Sequence, residues 1–171
     1  PVLSTVMYDE QNRPCICDGF MLVRWNAEQP ELKAFPETRG ENVLKADNVI
    51  PKQSQCVERE LTETDRLILA NIGKYIKLYA SEKSQGSLPV FLFDKIFDAC
   101  LVKDLTDVIG TGFKKTYTRD LSNNYGSFSY SPDAIFQDEL TAIIVPLRMI
   151  KEEEIEKCKA RTEAFVERLK A

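Results

Sequence analysis

The chain has no histidine among its 171 residues. Without imidazole there is no Ser-His-Asp or Cys-His relay. There is also no His-ligated zinc or iron, and no side chain whose ordinary titration falls near neutral pH. Long hydrophobic runs are missing as well, since no stretch reaches the roughly 18 apolar residues of a membrane-spanning helix. The opening Pro1-Val2-Leu3-Ser4-Thr5 has neither the basic start nor the apolar middle of a secretory signal. Neither sign of charge dominates. With 27 acidic and 23 basic residues the net charge is −4, which argues against a broadly cationic surface for nucleic acid or membrane. The five cysteines (Cys15, Cys17, Cys56, Cys100, Cys158) are an odd number without dense regular spacing. They point to a reducing compartment, and a cytoplasmic location is expected.

What remains is the composition of a soluble globular protein, 43% hydrophobic and 29% charged. The length suits a single domain over 1–171 with a sizeable core. The front reads as β structure. Val2 to Tyr8 and Cys15 to Trp25 are extended runs around a polar turn at 9–14, which predicts a hairpin with Gly19 as a bulge. Residues 26–56 are interrupted by Pro30, Pro36, Gly40 and Pro51 and read as an irregular arm, with short strands at Val43-Leu44 and Val49-Ile50.

Three helices are expected, near 62–83, 88–103 and 151–170. The first starts at Thr62-Glu63-Thr64-Asp65 and carries Ile68, Ile72, Tyr75, Ile76 and Tyr79 on one face. The second places Pro89 in its first turn and buries Val90, Phe93, Ile96, Phe97, Cys100 and Leu101. The third has Glu152, Glu153 and Glu154 in its first turn, Arg168 and Lys170 in its last, and a stripe of Ile155, Cys158, Thr162, Phe165 and Leu169. Residues 113–130 read as a second hairpin or a long loop turning at 123–126. Ser131-Pro132-Asp133 reads as the start of a short helix, and Thr141 to Val145 as a buried strand. The fold class is therefore α+β: an antiparallel front sheet, joined by strands near 126–130 and 141–147, packed against about three helices.

Six features bear on function. Cys15 and Cys17 share a face of their strand, where they could hold a soft metal or a reactive thiol. No second close pair completes a zinc site, and ordinary strand cysteines are the favoured reading. Pro1 would be a secondary-amine base or nucleophile if it is a free N-terminus. Gly110-Thr111-Gly112-Phe113-Lys114-Lys115-Thr116 departs from phosphate-loop spacing, because no Lys follows its second glycine. Lys114, Lys115, Tyr117, Arg119 and Tyr125 could follow phosphates and stack bases, or form an aromatic face with solvated lysines. Asp94 and Asp98 on one helical face could hold a divalent cation, though solvated edges look the same. Ile155, Phe165 and Leu169 either pack on their own domain or form a partner seam.

With no visible catalytic set, the leading expectation is a non-enzymatic interaction or assembly protein. It would be a subunit of an intracellular complex or a viral structural or accessory protein, with a protein partner or itself as partner, and without cofactor, metal or membrane. The alternatives are a nucleic-acid-binding accessory protein using 113–130, and a small enzyme working through Pro1, a cysteine or carboxylates.

Overall fold

A computed structural model of the chain describes residues 6–27, 37–38, 45–119, 131–149 and 151–171. The first two extended runs form three strands, β1 (Val6–Tyr8), β2 (Pro14–Cys17) and β3 (Met21–Trp25), paired as an antiparallel meander. Aspartates make both turns. The Asp9 carboxylate accepts from the backbone of Gln11 (3.0 Å) and Arg13 (2.8 Å) and pairs with the Arg13 guanidinium at 2.6 Å. Asp18 Oδ1 accepts from Phe20 N (2.8 Å) and Met21 N (2.7 Å), and Gly19 supplies φ +89° between them. Gly19 is thus a full turn where a bulge was expected, and the predicted hairpin is a meander.

The remaining strands are β4 (Glu37–Thr38), β5 (Cys56–Glu60), β6 (Pro89–Leu92), β7 (Lys95–Asp98), β8 (Lys115–Arg119), β9 (Asp133–Phe136) and β10 (Leu140–Ile144). Eight of the ten make one sheet in the order β4-β1-β2-β3-β10-β9-β8-β5, antiparallel except at β1/β4. The expected strand at 141–145 is β10, which sits against β3 over five registered pairs. The expected strand at 126–130 and the turn at 123–126 lie outside the described residues.

Strand alternation gives the sheet two buried faces. Ile16, Met21, Val23, Ile135, Ala142 and Ile144 look toward the main core. Cys15, Leu22, Ala134 and Ile143 look the other way, under Ala46 and Ile50. Ala46 belongs to a helical turn, α1 (Ala46–Val49), so the strand expected at 49–50 is helix and extended exit. Over the main core lie α2 (Glu63–Ala70), α3 (Ile72–Leu78), α4 (Ala99–Ile109) and α5 (Glu152–Lys170).

The helix expected over 62–83 begins as read. Thr62 Oγ1 accepts from Asp65 N, and the Asp65 carboxylate accepts from Thr62 N, a reciprocal capping box. It breaks at Asn71, whose side chain donates to Leu67 O at 2.8 Å, so α2 and α3 are separate.

The helix expected over 88–103 is wrong for its first half. Pro89–Leu92 and Lys95–Asp98 are a two-stranded hairpin, and the helix starts only at Ala99, capped by Asp98. The turn residues Phe93 and Asp94 both have positive φ, +54° and +57°, as a two-residue hairpin of primed type requires. Asp94 tolerates that conformation, but the bulky Phe93 disfavours it. Tertiary bonds impose it: Phe93 N donates to Asp65 Oδ1 at 3.2 Å and Asp94 pairs with Arg59 at 2.9 Å. The buried Phe93 ring also packs edge-on against Phe97 and Phe113.

The short helix expected after Ser131 is strand β9, because Asp133 is engaged by Lys95 rather than by the following backbone. Helix α5 matches its expected span, with Ile155, Cys158, Thr162 and Phe165 buried as the stripe predicts.

Candidate interaction groove

Helices α3 and α5 meet through aromatic rings. Phe165 packs edge-on against Tyr75 (centroids 5.2 Å apart) and Tyr79 (6.4 Å). Arg161 fastens the join: its Nε lies 3.0 Å from the Tyr75 hydroxyl, its guanidinium donates to Pro89 O, and it pairs with Glu82 at 2.6 Å. Beside this seam opens a groove of about 450 Å³ lined by Lys74, Lys77, Leu78, Phe165, Arg168 and Leu169. Leu78 is 41% exposed there. The side chains of Lys74, Lys77 and Arg168 make no hydrogen bond or ion pair among the described residues. The groove therefore has an apolar floor and a cationic rim that no described residue neutralises.

This placement divides the three residues of the expected partner seam. Ile155 is buried against Ile96 and Cys158 and belongs to the core. Phe165 is mostly core with one edge at the groove. Leu169 is half-buried and lines it. Leu78, which carries the exposed part of the floor, escaped sequence reading because it sits at the end of a helix whose other apolar residues face inward.

The basic-aromatic patch is brought together only in part. Lys115, Tyr117 and Arg119 lie on one face of β8, and Lys114, Lys115 and Tyr117 line a cleft of about 430 Å³ with Phe136 and Asp138. Strand β5 brings acid to the same face. Glu58 pairs with Lys115 at 2.6 Å and lies 3.4 Å from the Tyr117 hydroxyl, and Tyr117 packs edge-on against Phe136. Tyr125 lies outside the described residues, as does Pro1. Gly110 ends α4 at φ +78°, so the glycine loop follows a helix and lacks the strand a phosphate loop needs.

Four of the five cysteines are displaced from thiolate chemistry. Burial pushes the Cys15 thiol up to about 12 and that of Cys158 up to about 11. Burial also raises Cys56 and Cys100. Cys15 and Cys17 share a face as predicted, and that face is packed beneath α1. Iodoacetamide at about pH 8 is expected to alkylate Cys15 at least about 100-fold more slowly in the folded than in the urea-unfolded protein. Peptide mass spectrometry reads this directly, and rapid labelling of the folded chain would contradict the buried placement. Asp94 and Asp98 do not share a helix face: one is a hairpin turn and the other a helix cap. Among the described residues no group of three or more Cys, Asp or Glu is placed to hold a metal ion.

Sequence reading missed one charged site altogether. Lys95 on β7 reaches into the sheet, where its Nζ donates to Asp133 Oδ1 (3.0 Å), Ser131 O (2.9 Å) and Thr118 Oγ1 (3.1 Å). Both members of the pair are buried, and Asp133 Oδ2 has no hydrogen-bond partner among the described residues. Burial pushes the Asp133 carboxyl up to about 6 against the pull of Lys95. A separate cluster, Arg59 paired with Asp65 and Asp94, lies close enough to act on Asp133 through its charge. The Lys95–Asp133 pair ties the β6–β7 hairpin to the sheet.

Among the described residues no helix is long and apolar enough to cross a membrane. Compared with known proteins, the chain matches no family model, no curated protein and no solved structure.

Proposed function

We propose that the chain is a non-enzymatic interaction or assembly protein, a subunit of a larger complex that docks its partner in the groove between α3 and α5. One observation carries this reading: an apolar floor at Leu78, Phe165 and Leu169 inside a rim of three unpaired cations, on a chain whose net charge is −4. An apolar anchor gains by leaving water, and the rim selects an anchor flanked by carboxylates. The raised thiols support a binding role over cysteine chemistry.

The test is the native mass of the full chain in extracts of cells that make it, for wild type and Leu78→Asp. The wild type is expected in an assembly heavier than the 19.5 kDa monomer, and the variant to be released from it. Because Leu78 is exposed, its replacement should change stability by no more than about 0.5 kcal/mol. A variant that keeps the wild-type mass removes the groove from the reading.

Single-strand nucleic-acid binding is a second reading, and its support is the gathering of Lys114, Lys115 and Tyr117 at one cleft. Glu58 weakens it by neutralising Lys115. Binding to oligo-dT that falls in Lys114→Ala/Lys115→Ala, with a flatter salt dependence, would favour it.

A further inference from the structure

We propose that the occupant of the α3–α5 groove is a second copy of this chain, which inserts Phe20 at the tip of its β2–β3 turn. The proposal rests on the docking role of the groove. Among the described residues Phe20 is the most exposed large hydrophobic, at 64%. It stands on a rigid support. Asp18 Oδ1 holds the Phe20 and Met21 amides, Asp18 N donates to Met21 O at 3.2 Å, and Phe20 O accepts from Val145 N at 2.9 Å. A turn backbone held this firmly loses little conformational freedom on docking, and an exposed aromatic on a fixed backbone is a usual anchor of an interface.

The charges around the ring complement those around the groove. Phe20 shares a cleft of about 400 Å³ with Asp18, Asp98 and Asp104, against one cation, Arg148. Asp104 accepts no hydrogen bond among the described residues, and burial together with Asp107 and Asp18 raises its carboxyl. An aromatic anchor among carboxylates thus faces an apolar floor rimmed by Lys74, Lys77 and Arg168. The turn surface thus carries a surplus of acid and the groove a surplus of base.

The two surfaces are different patches of one chain, so the contact is heterologous. Every added copy presents a free turn at one end and a free groove at the other, which builds a closed ring or an open row according to the rotation between copies.

Sedimentation velocity on the purified full chain tests this, over a concentration series at low and moderate salt. The mean mass of the wild type should rise with concentration and fall with salt. Phe20→Ser and Leu78→Asp should each weaken self-association by about 30-fold or more. An equimolar mixture of the two variants should regain a species that stops at two copies. In it the Leu78→Asp chain lends its intact turn to the intact groove of the Phe20→Ser chain. If either variant fails to fold, Phe20→Ala or Leu78→Gln takes its place. A wild type that stays monomeric throughout, a mixture that stays monomeric, or a single variant that still associates overturns the proposal. Release of Leu78→Asp from its cellular assembly, with a purified wild type that stays monomeric, would leave the docking role standing and remove only the self-partner.

Discussion

Replacing Lys95 with methionine is expected to destabilise the protein by about 3–5 kcal/mol at neutral pH. The substitution leaves Asp133 buried, with Oδ1 stripped of its cation and Oδ2 still unbonded. Ser131 O and Thr118 Oγ1 lose the same donor. The sign of the pH dependence follows from Asp133. Its folded-state carboxyl is pushed by burial to about 6, above the ordinary 3.8, so the folded chain holds that proton more tightly than the unfolded chain. The contribution of this group is full below about pH 4 and is lost as pH rises through about 6. The cost of Lys95→Met should accordingly be largest above about pH 6 and shrink on acidification, when a neutral Asp133 no longer needs the cation. Urea unfolding at about pH 7.5 and about pH 5 measures this, and an equal loss at both would contradict it. Lys95→Met combined with Asp133→Leu should recover at least about half of the loss, since no buried charge is then left alone.

Phe165→Ala is expected to cost about 3–5 kcal/mol as well, by opening a cavity in the aromatic join of α3 and α5. Phe165 is 3% exposed and touches Tyr75 and Tyr79, so its removal loosens the wall of the groove together with the core. Leu78→Asp, across the same groove, should leave the denaturation midpoint almost unchanged while abolishing docking. The pair of variants separates the two uses of that surface. Equal loss of stability in both would place Leu78 in the core and take away the exposed floor.

The elements that were legible in the sequence are those whose causes are local. The acidic and basic ends of α5 and its 155–169 stripe, the Thr62 cap and the β-branched run at 141–145 each hold their determinants within a few residues, and each matches the structure. The β6–β7 hairpin was misread because both of its faces are buried. Val90, Leu92, Phe93, Ile96 and Phe97 then give no alternation and imitate a helix stripe. Its turn has no Asn-Gly signal, and the groups that fix it, Asp65 and Arg59, lie far away in sequence. Ser131-Pro132-Asp133 looked like the start of a helix for a similar reason: Lys95, the partner of Asp133, comes from a distant strand. At the groove, Phe165 and Leu169 were found from their spacing. Leu78 and the cationic rim became visible only once α3 and α5 lay side by side.

The seam between β3 and β10 also bears on how the protein is made. Met21–Trp25 has Leu140–Ile144 as its neighbour, so β3 waits for a strand that is made much later in synthesis. On the ribosome the first meander emerges with one side of β3 unpaired, and that open edge is a template for pairing with other nascent chains. Sheet closure awaits synthesis of Leu140–Ile144, and the long loop that must close makes the step slow. A chain cut before Leu140 would keep the meander and lose its cover. Until Leu140–Ile144 is made, the open edge of the meander exposes the chain to aggregation, and a chaperone that holds strand edges is the factor on which its yield should depend.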